Sequence, residues 1–195
     1  SEQTGRYRLY AEALWNNPLG NADQLHVAGL FAAEPSNSTY GLIRYSSRVL
    51  SPRFSLSAGA SNNDFILGTG TSEQVNSLGI TGETYRTDVT ASYRFQRSRT
   101  QNYHGEIVYE KIKSLIRLNA ISGDVGLDDI VLNTSLVFRF DVLDEANRIL
   151  HQAKLKYTNG KFDKGAELDQ DENYDFMNLD YSLLTFWRLP YFDTN

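Results

Sequence analysis

No cysteine occurs in the 195-residue chain, so it can build neither a disulfide framework nor a thiolate zinc site. Nor does any stretch approach the roughly 18 consecutive apolar residues that mark a membrane-spanning helix. Positive charge is not in excess: the formal net charge is −5 and the pI is near 5.2, which leaves no electrostatic footprint for nucleic acid. Histidine is confined to His26, His104 and His151, which share no metal-ligand spacing. The chain starts Ser1-Glu2-Gln3-Thr4, without initiator methionine, basic n-region or apolar h-region, as in a mature form, an excised fragment or an incomplete reading frame. A mean hydropathy of −0.44 is uninformative about membrane strands, because alternating segments average their hydrophobicity away.

What the chain does have is alternation with a period of two. Tyr7, Leu9, Ala11, Ala13 and Trp15 fall on one side of the first such segment, and Arg6, Arg8, Tyr10 and Glu12 on the other. In the second, Leu25, Val27, Gly29, Phe31 and Ala33 oppose Gln24, His26 and Ala28. Successive side chains of a strand point to opposite faces, so each segment carries one apolar and one polar side. The pattern places strands at 5–16, 23–34, 39–50, 53–67, 83–97, 101–117, 128–144, 146–160 and 173–189. No stretch has convincing helical periodicity; the nearest, Asp144 to Gln152, fits a hairpin turn as well.

The links between strands alternate in length. Those at Asn16–Asp23, Leu50–Arg53, Gln96–Gln101 and Leu143–Asn147 are compact. Those at Glu34–Thr39, Gly68–Gly82, Leu118–Leu127 and Gly160–Asn173 are mostly longer and rich in Gly, Asn, Asp and Ser. Up-and-down strands would put the two sets on opposite rims, as in outer-membrane barrels with short periplasmic turns and long extracellular loops. The 12 tyrosines and 10 phenylalanines, many near strand ends, suit the aromatic girdles of such barrels. The expected fold is therefore all-β, an antiparallel up-and-down transmembrane β-barrel. Single-chain bacterial barrels close with an even strand number, so nine strands mean either one more strand or an incomplete part of a larger barrel. The ending Tyr191-Phe192-Asp193-Thr194-Asn195, just after an apparent turn, favours the latter.

Several short motifs occur in a fixed order. The chain opens Thr4-Gly5-Arg6-Tyr7 and continues to Asn17-Pro18-Leu19-Gly20-Asn21-Ala22-Asp23. Tyr45-Ser46 and Phe65-Ile66-Leu67-Gly68 follow, then Tyr93-Arg94-Phe95-Gln96-Arg97-Ser98-Arg99-Thr100-Gln101-Asn102, and last Arg188-Leu189-Pro190. In order and spacing this resembles the barrel of two-partner secretion transporters, the haemolysin secretion/activation proteins of the ShlB/FhaC/HecB group, which are relatives of BamA. The resemblance implies a 16-strand type of barrel, with residues 1–195 as an N-terminal barrel segment lacking the POTRA domains, the first strand and the C-terminal strands. The inward loop with its V-R-G-Y motif has no counterpart in the sequence. It also implies a pore in the bacterial outer membrane that secretes, and in some members activates, an unfolded haemolysin- or adhesin-type exoprotein, with lipid as the other partner. No catalysis and no cofactor would be needed. Alternatives are another membrane-assembly barrel of the BamA superfamily, a soluble lipocalin-like barrel for a small ligand, or a complete small outer-membrane barrel with or without hydrolase activity.

On this reading Leu9, Val27, Leu56, Val89, Ile107, Phe138 and Leu155 face lipid. Arg44, Arg86, Arg94, Arg97 and Arg99 line the lumen or the periplasmic rim, with Arg48 nearby. Interior barrel residues are polar in any case, because the lumen is wet. The run Asp169-Gln170-Asp171-Glu172-Asn173-Tyr174-Asp175 only faintly echoes a calcium loop, with Tyr174 where an EF-hand needs Gly, and is better taken as an acidic surface loop. Gly68-Thr69-Gly70 has no following Lys-Ser/Thr, which rules out a phosphate loop. No nucleophile-elbow motif supports a Ser–His hydrolase.

Overall fold

The computed structural model describes residues 7–33, 38–67, 80–118, 125–164 and 173–186. Nine strands make one sheet: β1 (Tyr7–Asn16), β2 (Gln24–Ala33), β3 (Ser38–Arg48), β4 (Phe54–Leu67), β5 (Ile80–Arg97), β6 (Gln101–Leu118), β7 (Val125–Asp144), β8 (Ile149–Lys164) and β9 (Asn173–Thr185). Each strand pairs antiparallel with its neighbours in sequence, in the order β1 to β9. Such a meander follows from compact turns at one end, since a short link can only return the chain alongside itself. The nine expected strands are all present. Among the described residues the sheet is open, with β1 and β9 each paired on one side only.

Side-chain chemistry shapes the compact turns. Asn17, Gly20 and Ala22 have φ of 59°, 81° and 51°, so the β1–β2 turn winds through the left-handed region, where Asn and Gly are at ease. In the β7–β8 turn Asp144 accepts from the amide and side chain of Asn147 at 3.0 and 2.7 Å. That local pairing delays β8 to Ile149, three residues beyond the 146 expected from alternation. At the opposite end β5, β7 and β8 run further than alternation suggests, from Ile80, from Val125 and to Lys164. Gly82 and Gly160 look like loop residues there. Each instead lies beneath an aromatic ring of the adjacent strand, Phe65 over Gly82 and Tyr174 over Gly160, where no Cβ would fit.

The register carries the two faces across the whole sheet. Directly opposed residues share a face, so rows can be followed from strand to strand. One row reads Trp15, Leu25, Tyr45, Ala58, Val89, Tyr109, and the next Leu56, Ala91, Ile107, Leu136, Tyr157, Met177. On the other face run Leu14, His26, Arg44, Gly59, Asp88, Glu110 and Asn133. The buried strand residues Ala28, Ala32, Asp88, Ser135, Val137 and Thr158 all lie on this second, polar face. Crowding on one face and exposure on the other means that the sheet curls towards its polar side. A lipocalin-like barrel would have its apolar face inward; this sheet has it on the convex outside.

Candidate functional site

The convex face is an apolar band left uncovered. Leu9, Val27, Leu56, Val89, Ile107, Phe138 and Leu155 all lie on it, between 38% and 70% exposed. Only Ala28, Ala32 and Val137 are buried hydrophobic residues among those described, so the apolar side chains do not form an internal core. A contiguous apolar surface of this extent marks contact with a membrane or another apolar partner. Near the turn end the band carries packed aromatic rings: Tyr93 meets Phe95 edge-on at 5.1 Å, and Phe138 lies 6.3 to 6.5 Å from Phe95, Tyr103 and Phe140.

The concave face is polar and carries several cross-strand ion pairs. Arg44 reaches over Gly59 to Asp88 at 2.7 Å, and a Cβ on Gly59 would sit 3.0 Å from the guanidinium. Arg86 pairs with Glu110, which also accepts from the Asn133 side chain at 3.3 Å. Asn133 in turn receives the Tyr174 hydroxyl at 2.6 Å. Glu106 lies between His104 at 3.0 Å and Arg139 at 3.2 Å. Ser135 and Thr158 share a buried hydrogen bond of 2.8 Å.

Four of the five arginines singled out in the sequence, Arg44, Arg86, Arg94 and Arg97, sit on this concave side. Simple alternation would place Arg97 with Phe95. A β-bulge between Arg94 and Gln96 inserts one residue and turns Arg97 to the polar side, opposite Asn102. Arg99 lies in the β5–β6 turn, 4.0 Å from Glu145, with 92% of its side chain exposed. The acidic partners Asp88, Glu106 and Glu110, and Arg139, went unmarked in the sequence. Their pairing depends on cross-strand register over dozens of residues, and only the parity of Asp88 with Arg86 hinted at it.

The β1–β2 turn is anchored by Asp23, 4% exposed. Its carboxylate accepts from the amides of Leu19 and Asn21 at 3.1 Å each and from the Tyr45 hydroxyl of β3 at 2.9 Å. Burial pushes its pKa up, but the hydrogen bonds from Tyr45, Asn21 and Leu19 outweigh this and hold the group below its ordinary 3.8.

The histidines do not converge. His26 is 3.5 Å from Glu12, His104 contacts Glu106, and His151 on the convex face meets the Tyr181 hydroxyl at 2.7 Å. Among the described residues no group of three or more His, Asp or Glu is placed to hold a metal ion. Most of the acidic run from Asp169, as well as Gly68-Thr69-Gly70, the opening Thr4-Gly5-Arg6 and Arg188-Leu189-Pro190, falls outside the described residues.

Searches of curated proteins and of solved structures each returned no match. The family model for the haemolysin secretion/activation proteins ShlB/FhaC/HecB matches residues 1–190. The chain belongs to that family, the outer-membrane transporters of two-partner secretion.

Proposed function

We propose that these nine strands form an arc of an outer-membrane barrel wall past which an unfolded exoprotein, of haemolysin or adhesin type, is secreted. The carrying observation is the segregation of an exposed apolar convex face from a polar concave face on which Arg44, Arg86 and Arg139 are paired with carboxylates. Leu9, Val27, Leu56, Val89, Ile107, Phe138 and Leu155 then face lipid, and Arg44, Arg86, Arg94 and Arg97 the lumen, with Arg99 at the periplasmic rim. Residues 1–195 act as one barrel segment, further strands covering the edges of β1 and β9, because lipid cannot satisfy open strand edges.

Chemically the wall has little to do beyond being wet and ungrasping. Arg44, Arg86 and Arg139 are matched by Asp88, Glu110 and Glu106, so a passing polypeptide meets charges that already have counter-ions. Release requires such weak attraction, since a tightly held segment would stall. No bond is made or broken, and the reading assigns no cofactor.

These 195 residues contain no cysteine, so single cysteines placed among them are the only thiols of this segment. Single cysteines at Ser57 and Gln152 on the concave face, and at Val89 and Leu136 on the convex face, are introduced in cells secreting the exoprotein. Concave positions should react with a membrane-impermeant maleimide and cross-link to a stalled exoprotein; convex positions should do neither. Cross-linking that favours the convex positions would refute the assignment.

A further inference from the structure

Cations on the convex face are unevenly placed. Among the described strand residues, Lys111, Lys113, Arg117 and Lys161 lie there, all towards the loop end of β6 or β8, while the turn end of that face has no Lys or Arg. Lys111 and Lys113 pair directly with Thr87 and Tyr85 of β5. Those two residues close one end of a groove of about 420 Å³ that crosses the convex surface of β2 to β5. Val27, Ile43 and Ala60 form one flank of the groove and Gly41 part of the other, leaving its surface almost wholly apolar.

The groove also runs in a useful direction. On β2, Val27 has Leu25 and Phe31 along its own face, so the row starts within the apolar band. The same row passes Ile43, Ala60 and Thr87 and arrives at Lys111, where the band has ended. Strand tilt explains this: a row perpendicular to tilted strands climbs obliquely through the bilayer. One end of the groove is therefore deep and apolar, and the other is shallow and cationic.

We propose that this surface binds one phosphorylated lipid, its acyl chain lying in the β2–β5 groove and its phosphate held by Lys111 and Lys113. The proposal rests on the reading that the convex face meets lipid. Lysines on such a face need a counter-ion or a route to the headgroup level, and phosphate is the anion found there. Lys113 also lies 3.9 Å from Asp128, and Asp64 and Glu83 occupy the next row towards the loops. These carboxylates repel an anion placed further out and confine the attractive window to the row of Lys111 and the row of Lys113.

The test uses the complete barrel that contains these strands, in phosphatidylcholine nanodiscs doped with diphosphoryl lipid A, with retained lipid counted by native mass spectrometry. Lys111→Gln with Lys113→Gln should weaken retention about 10- to 30-fold, from loss of two surface cations. Ala60→Trp, at an exposed convex position, should fill the groove and also weaken retention. Equal retention by all three proteins overturns the proposal. So does displacement by inorganic phosphate together with full retention by Ala60→Trp, which would mean a free-phosphate site. Reaction of single cysteines at Val89 and Leu136 with a membrane-impermeant maleimide in the nanodisc-embedded barrel would sink the lipid-facing reading itself, whereas a lipid-facing barrel without lipid preference sinks only this proposal.

Discussion

Arginine at Val89 and arginine at Thr90 should have opposite consequences. Val89 is 52% exposed on the convex face, in register with Ala58 and Tyr109. Along β5 it lies between Tyr85 and Phe95, four residues from one and six from the other. At about 3.4 Å per residue and a tilt near 40°, that is about 10 Å and about 16 Å along the membrane normal. Val89 is thus near the middle of an apolar slab about 25 Å thick, where arginine on a lipid face costs about 2–4 kcal/mol. The folded-to-unfolded ratio should fall between about 30-fold and several hundred-fold. Thr90 faces the concave side one residue on, with Asp88 and Glu106 on that same face. Its arginine variant should stay within about 1 kcal/mol of the parent. Urea titration of the complete barrel containing these strands in phosphatidylcholine vesicles, followed by tryptophan fluorescence and by heat-modifiable gel mobility, measures both. A soluble sheet gives the reverse order, since a half-exposed valine tolerates arginine in water and a crowded concave position does not. That reverse order, or equal folding of the two variants, would refute the inside–outside assignment.

Three other outcomes follow from the same geometry. Arg44→Met should cost about 1–3 kcal/mol because it strands the nearly buried Asp88 carboxylate, and adding Asp88→Leu should recover most of that loss in a double-mutant cycle. Leu50, at φ 65° and 96% exposed in the β3–β4 turn, should stabilise the fold by about 1 kcal/mol when replaced by glycine, read as a raised urea midpoint. Asp23 is held below 3.8 in the folded state, so it binds fewer protons there than in the unfolded chain. Its contribution is complete above about pH 4 and is lost as pH falls through the folded value. Asp23→Asn should flatten stability measured between pH 5 and pH 2, and an unchanged slope would mean that the carboxylate does not anchor the turn.

Much of this protein is written in local chemistry. The period of two in segments such as Tyr7 to Trp15 determines strands and assigns each side chain to a face, because a strand has only two faces to offer. Alternately short and long links determine an antiparallel meander, since a compact turn such as Asn16–Asp23 allows no other return path. The order of motifs from Thr4 to Pro190 identified the family.

Other features needed the register. Alternation leaves open which face is inside, because apolar-in and apolar-out barrels share the same pattern. The burial of Asp88, Ser135 and Thr158 decides it for the polar side. Arg97 reaches that side only through a bulge, an insertion in the pairing that alternation within β5 does not reveal. The ion pairs Arg44–Asp88, Arg86–Glu110 and Arg139–Glu106 join residues on different strands, and so does the alignment of Lys111 with the Val27 row. A one-residue slip in any pairing would turn a whole strand over, with its charges in lipid. The sequence by itself determined the strands, their faces and the family, whereas only tertiary pairing decided which charges meet and which face the sheet curls around.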